Sequence, residues 1–299
     1  MAKHKTVAAA KPLDLALRPG QSIELLKELH ILTRDGKLNQ DARRKLKQVY
    51  HLYQFIEKLL NDLQAKGYAQ PELGPTLADH GAGKSYLGFI IYDLFFKALG
   101  QGTIYGIETR SELVASSQAL AQRLGFDRMR FLNLSVAESA NSDALPTQID
   151  VVTALHACDT ASDDAIAWAI ESKSKVILIA PCCHHDIQKQ IGNSSHKAPD
   201  SWAIAARHGI LRERIGDILT DSIRAQVLRI FGYETDVIEF IASEHTPRNL
   251  MIRAIYKGRT ATTADLEELD SIIQQWNIRP RLLDLLASPL SSQRRNASS

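Results

Sequence analysis

Leu77-Ala78-Asp79-His80-Gly81-Ala82-Gly83-Lys84-Ser85 is the stretch on which the reading of this chain turns. The run from Pro75 to Ala78 predicts a strand, and the apolar periodicity from Lys84 to Leu99 predicts a helix. Between them stand an acid and two glycines, in the order Asp-x-Gly-x-Gly. Glycine in such a turn lets a ligand approach backbone that a Cβ would shield. The helix beyond presents unpaired N–H groups and the positive end of its dipole. The pattern reads as a binding turn for a molecule with a nucleotide-like body.

Counting separates three kinds of turn. Gly83-Lys84-Ser85 suggests a P-loop, but that motif needs a glycine five positions before Gly83. That position is Ala78, inside the strand. A dinucleotide turn starting at Gly81 needs a third glycine at position 86, which is Tyr86. S-adenosylmethionine (SAM) has no pyrophosphate and fits better. Gly81 and Gly83 would lie against it, and Asp79 would face its cationic end. Glu108, ending the next predicted strand (Thr103–Glu108), would accept hydrogen bonds from ribose hydroxyls. Asn133 and Ser135, after the third strand, are the candidates for the adenine. The plainer readings are an N-cap for Asp79 and a solvated strand-end acid for Glu108.

Outward from the turn, β and α segments alternate. Met129–Leu132, Asp150–Leu155 and Val176–Ala180 are short apolar runs suited to a parallel sheet covered on both faces. Thr109-x-x-Glu112 and Thr160-x-x-Asp163 read as capping boxes opening the intervening helices. A helix over Asp217–Phe231 leads to strand-like segments at Glu234–Ile241 and Leu250–Tyr256, whose short separation favours an antiparallel pair. The expected fold class is therefore α/β: a Rossmann-like class I methyltransferase layout, with a mostly parallel seven-stranded sheet ending in an antiparallel hairpin.

Before the turn, Ser22 is expected to cap a short helix bearing Ile23, Leu26 and Leu29. Asn39 is expected to cap a long one whose apolar positions run from Leu46 through Val49, Tyr50, Tyr53 and Ile56 to Leu63, with Gly67 ending it. The expected organisation is a helical N-terminal extension over 1–70, a methyltransferase domain over 71–260, and C-terminal helices with a disordered tail from about Ser288 over 261–299.

The 299 residues are 44% hydrophobic and 23% charged, enough to build a real core, and the net charge of +2 excludes a polycation. Three cysteines, an odd number, argue against a secreted disulfide framework. The N-terminal residues lack an apolar signal region, because Lys11 and Asp14 interrupt it, and no run has the length of a membrane span. A cytoplasmic protein without a membrane partner is expected.

Four blocks carry a closer likeness: Asp79 to Leu87, Gly106-Ile107-Glu108-Thr109-Arg110, Thr153-Ala154-Leu155-His156-Ala157-Cys158-Asp159-Thr160, and Pro181-Cys182-Cys183. Across about residues 49–256 the chain resembles a bacterial family of class I SAM-dependent methyltransferase-domain proteins. That family is similar to the eukaryotic group that includes the tRNA ribose 2′-O-methyltransferase. The resemblance implies SAM as cofactor and RNA, tRNA or rRNA, as acceptor. It carries over no catalytic residue. The chain departs from the pattern at Lys84-Ser85, where many class I enzymes have a third small glycine, and at His184-His185.

His156 and Cys158 follow the fourth predicted strand, and Cys182, Cys183, His184 and His185 the fifth. Adjacent strands lie about 4.8 Å apart, so these six groups are expected to converge at the rim of the sheet. In one reading they form the acceptor pocket: His156 or Asp159 orients or deprotonates a nucleophile, and Cys182 and Cys183 shape the walls. A zinc site is a second, disfavoured because adjacent cysteines tend to point apart and no Cys-x₂-Cys is present, so no metal ligands are assigned. Cysteines packed as small apolar groups are a third. Arg34, Lys37, Arg43, Arg44, Lys45 and Lys47 form a basic cluster suited to phosphates, or to plain solvation. Arg207, Arg212 and Arg214 form another, and Arg248 and Asn249 sit in the final hairpin turn. The expected function is a SAM-dependent methyltransferase acting on RNA. The alternatives are a non-catalytic RNA- or ribosome-binding module and a methyltransferase for protein or a small molecule.

Overall fold

Strand side chains alternate between two cores. In β1 (Thr76–His80), Leu77 joins one apolar cluster and Ala78 the other; Val151 and Val152 divide the same way in β4 (Val151–Ala154), as do Val176 and Ile177 in β5 (Val176–Ile179). Both faces of the sheet are thus covered by helices, as its continuous apolar strands require. The computed structural model describes residues 17–38, 40–67, 72–140, 142–155, 157–192, 199–239 and 250–297.

With β2 (Thr103–Ile107), β3 (Met129–Leu132), β6 (Tyr233–Glu239) and β7 (Leu250–Tyr256), the sheet has seven strands in the order β3-β2-β1-β4-β5-β7-β6. The first five are parallel and the last two antiparallel, with Ile179 opposite Ile252 where β5 meets β7. This is the expected Rossmann-like arrangement. The order reverses between β1 and β4, and ligands in open α/β sheets bind beyond the strand C-termini at such a switch point.

The helices, in chain order, are α1 (Ile23–Glu28), α2 (Gln40–Ala65), α3 (Tyr86–Ile91), α4 (Lys97–Leu99), α5 (Ser111–Arg123), α6 (Val136–Ser139), α7 (Thr160–Glu171), α8 (His185–Gly192), α9 (Ala203–Ala206), α10 (Gly209–Ile230), α11 (Thr263–Trp276), α12 (Arg281–Leu285) and α13 (Ala287–Ala297). A π-helical turn, Tyr92–Phe96, joins α3 to α4. Its buried Asp93 accepts the backbone N–H of Ser22 at 2.7 Å, which ties the start of α1 to the helix after the glycine turn. Ser22 caps α1 as expected, its hydroxyl accepting from Leu25 N at 3.1 Å. Leu26 and Leu29 are buried, but Ile23 faces solvent. Asn39 lies outside the described residues. Leu46, Tyr53, Ile56, Leu60 and Leu63 of α2 are buried in the cluster that also holds Leu77 and Val151.

Several local expectations are corrected. The helix after the glycine turn starts at Tyr86 rather than Lys84, because Ser85 is left-handed with φ 51°. Neither capping box forms. Arg110 is the N-cap of α5, without a side-chain cap, and the Thr109 hydroxyl turns to Glu108. At α7, Asp163 is taken by Arg224, whose Nε lies 2.8 Å from Asp163 Oδ1. The helix expected from Asp217 starts eight residues earlier, at Gly209. The segment expected to be disordered from Ser288 is helical as α13, with Leu290 buried and Arg294 paired to Asp270. No helix among the described residues is long and apolar enough to cross a membrane.

Candidate active site

Beyond the C-terminal ends of β1, β2 and β4 lies a cavity of about 600 Å³. That volume suits a small-molecule ligand, for which sites of roughly 300–1,000 Å³ are usual. Its floor is the glycine turn, Gly81 to Lys84. Glu108, Thr109 and Arg110 line one side, Leu134 to Ala137 a second, and Leu155, Ala157 and Cys158 a third. Val49 and Leu52 of α2 also line it, so the N-terminal helix is part of the site.

The turn depends on left-handed backbone. Gly81 and Gly83 have φ of 67° and 58°, values a side chain would strain. Ala82 N donates to Ile107 O at 3.1 Å, holding the turn against β2. Gly83 N donates to Glu108 Oε2 at 2.8 Å, so the acid at the end of β2 also braces the turn.

Glu108 is engaged from four more donors, one of them the Thr109 hydroxyl 3.3 Å from Oε1. Arg110 N and Nε each lie 3.0 Å from Oε1, and an Arg110 terminal nitrogen lies 3.0 Å from Oε2. The guanidinium of Arg110, with these amides, holds the buried carboxyl down at about 2. A carboxylate offers about four lone-pair sites. Here two donors are backbone amides, two belong to the guanidinium, whose side chain is 59% exposed, and the Thr109 hydroxyl shares Oε1. Removal of the guanidinium alone frees two acceptor sites facing the cavity.

Asp79 is buried beside the turn, and its Oδ1 accepts from the Thr153 hydroxyl at 2.6 Å. Burial pushes its carboxyl up to about 6, against the pull of that hydrogen bond. Such a group gains from a cation brought to it.

The remaining candidates divide. Ser135 lines the cavity and caps α6 in a reciprocal box with Glu138. Asn133 does not line it; its amide donates to Glu108 O at 3.0 Å and Thr109 O at 2.8 Å, fixing the loop that carries both. Asp159 turns away: its carboxylate accepts Asp186 N at 3.0 Å, capping the first turn of α8, and its carbonyl accepts from Arg224 at 2.9 Å. His156 lies outside the described residues, as do Arg248 and Asn249.

The six cysteine and histidine groups do not all converge. His184 is buried between Asp221 and Asp217, 3.0 Å from the first through Nε2 and 3.2 Å from the second through Nδ1. His185 is exposed at the start of α8. The three thiols do meet. Cys158 Sγ is 2.9 Å from Cys182 Sγ, which is 3.7 Å from Cys183 Sγ. Burial, then the neighbouring thiols, push the Cys182 thiol up to about 12.

Sequence reasoning missed Arg110, Thr153, Val49 and Leu52. Arg110 stands two residues from Glu108, a spacing that lets a long cationic side chain fold back on the acid. Thr153 pairs with Asp79 in the β1–β4 register, visible only once those strands are neighbours.

Residues 44–190, about half of the chain, match the family model described as a methyltransferase domain. Residues 44–190 are a methyltransferase domain. No curated protein matches it. Among solved structures, the methyltransferase is similar to magnesium protoporphyrin IX methyltransferase from Synechocystis PCC 6803, crystallised with bound SAH. The identity is 14%, covering 78% of this chain and 93% of that one, with a TM-score of 0.42. It is similar to the fibrillarin pre-rRNA processing protein of Methanococcus jannaschii at 11% identity, covering 62% and 67%, TM-score 0.42. A third is an rRNA methylase from Streptococcus thermophilus, at 9% identity, covering 61% and 87%, TM-score 0.38.

The methyltransferase's own residues fit SAM. Gly81 and Gly83 present backbone without a Cβ on either side of Ala82, the buried Asp79 suits an ammonium, and two of the donors on Glu108 come from a guanidinium that is largely exposed.

Proposed function

We propose that this methyltransferase acts on RNA in the cytoplasm, with SAM lying over Asp79 to Gly83. Asp79 faces the amino acid end of the donor, Glu108 takes the ribose hydroxyls as Arg110 swings outward, and Ser135 borders the adenine. Asn133 acts indirectly, by holding the Glu108 loop. The sulfonium is already an activated methyl donor, so the protein's main task is alignment of acceptor and methyl. Proximity and orientation of that kind are worth about 7–11 kcal/mol in favourable cases. No side chain has to supply a strong base for that part of the rate.

The observation that carries the RNA reading is the composition of α2. The helix whose Val49 and Leu52 wall the cavity exposes Arg43, Arg44 and Lys47 near its start, after exposed Arg34 and Lys37. Among the described residues these five cations make no ion pair with a carboxylate, which leaves them for phosphates. Lys84, exposed in the glycine turn, adds a charge at the cavity itself.

Methyl transfer from labelled SAM to total RNA, and separately to total protein, is the test. Label in the RNA fraction that depends on intact Glu108 is the expected result. Label confined to protein would overturn the RNA reading while leaving the donor site standing.

A further inference from the structure

The three thiols, of which Cys158 lines the cavity, have a geometry that the alignment of SAM does not use. Cys158 follows β4, and Cys182 and Cys183 follow β5, so two neighbouring parallel strands deliver all three. Their Sγ atoms all lie within 4.8 Å of one another, with separations of 2.9 and 3.7 Å along the chain of contacts. In a tetrahedral zinc–thiolate site the metal–sulfur distance is about 2.3 Å, which puts sulfurs about 3.8 Å apart. With edges of 2.9 and 3.7 Å and a third no longer than 4.8 Å, the triangle is close to the size that one such ion imposes, the shortest edge having to open by about 0.9 Å. Adjacent cysteines usually diverge, yet Cys182 and Cys183 turn their thiols to the same side.

We propose that Cys158, Cys182 and Cys183 form a binding site for a borderline-soft divalent cation, zinc being the cation of that class with a preference for thiolate tetrahedra. Binding exchanges three thiol protons for the metal, so one Zn²⁺ enters as three H⁺ leave to solvent. Among the described residues no fourth ligand atom joins the group. Three protein ligands with a fourth position free is the composition of a catalytic rather than a structural zinc site. Cys158 also lines the donor cavity, so the ion stands at the edge of the space where the methyl donor lies.

The full-length protein, purified in a non-thiol reductant without chelator, is analysed for metal by mass spectrometry and titrated with Co²⁺. The expected result is about one zinc per chain and, with Co²⁺, a thiolate-to-metal charge-transfer band. Cys182→Ser and Cys183→Ser, checked for native circular dichroism, should lose the metal and the band at least tenfold more readily to a competing chelator. The wild-type measurement stands even if a variant fails to fold. A wild-type protein with neither zinc nor a Co²⁺ band overturns the site, as does a band that survives in the double variant. None of these readouts depends on the acceptor being RNA.

Discussion

Arg110 closes over Glu108 from two residues away, its Nε and a terminal nitrogen each 3.0 Å from a different carboxylate oxygen. The same carboxylate accepts the amide of Gly83 at 2.8 Å. The glycine turn, the end of β2 and an exposed cation thus share one acid. Only the cation can leave without disturbing the backbone.

If the guanidinium competes with the ribose for Glu108, Arg110→Ala should tighten SAM binding by about two- to fivefold, because exposed ion pairs are weak. Glu108→Ala should weaken binding by more than about tenfold, since it also releases Gly83 N. Titration calorimetry on both variants checks this. Loss of binding in Arg110→Ala would mean that the arginine holds the donor instead.

Asp79 provides a pH dependence of known sign. Its carboxyl sits at about 6 in the folded protein against 3.8 when unfolded. Below about pH 4 both states are protonated and the folded state carries no burdened charge. As pH rises through 6 the folded state must ionise a buried group, so apo stability falls, by roughly 3 kcal/mol between those limits. Asp79→Asn should flatten this fall, read as urea midpoints at pH 4.5 and 7. SAM affinity should move the other way, rising from pH 5 to 7.5 in the wild type and losing that rise in Asp79→Asn.

Arg224 tests the buried frame behind the site. It is 1% exposed and reaches Asp163, Asp221 and the carbonyl of Asp159. Arg224→Ala leaves Asp163 buried without a counter-charge and Asp221 with His184 alone beside it, and should cost about 3–5 kcal/mol in urea unfolding. Asp159 lies next to Cys158, so the variant should also disturb the loop after β4.

The basic start of α2 should act on acceptor alone. Arg43→Ala, Arg44→Ala and Lys47→Ala together should lower the slope of log affinity against log salt for RNA by about 2, at 0.7 per single-strand phosphate contact. SAM affinity should be unchanged, because none of the three lines the cavity. An unchanged RNA slope would leave these residues as a solvated face.

The fold was legible because its signals are local. Runs such as Val176–Ile179 and the Asp-x-Gly-x-Gly turn declare themselves within a few residues, and strand order follows from their alternation with helices. What misled was local chemistry claimed by distant partners. Thr160-x-x-Asp163 has the form of a capping box, but Arg224, 61 residues on, takes the acid. Asp159 beside the cysteines looked like acceptor chemistry, yet it caps α8 through Asp186 N. The polar segment from Ser288 carries too few apolar residues to announce a helix, and a single buried leucine with one ion pair to Asp270 secures it. Val49 and Leu52 were readable as part of a face to be buried, but periodicity does not say that part of that face borders a ligand.

With the donor in the proposed place, that border makes α2 and the donor thermodynamic partners. Leu46, Ile56 and Leu60 seat the helix in the core, while Val49 and Leu52 complete the cavity wall. A ligand that needs the seated helix stabilises it by mass action, by about 2.7 kcal/mol at a hundredfold excess over its dissociation constant. Amide hydrogen exchange along α2 is therefore a gauge of donor occupancy.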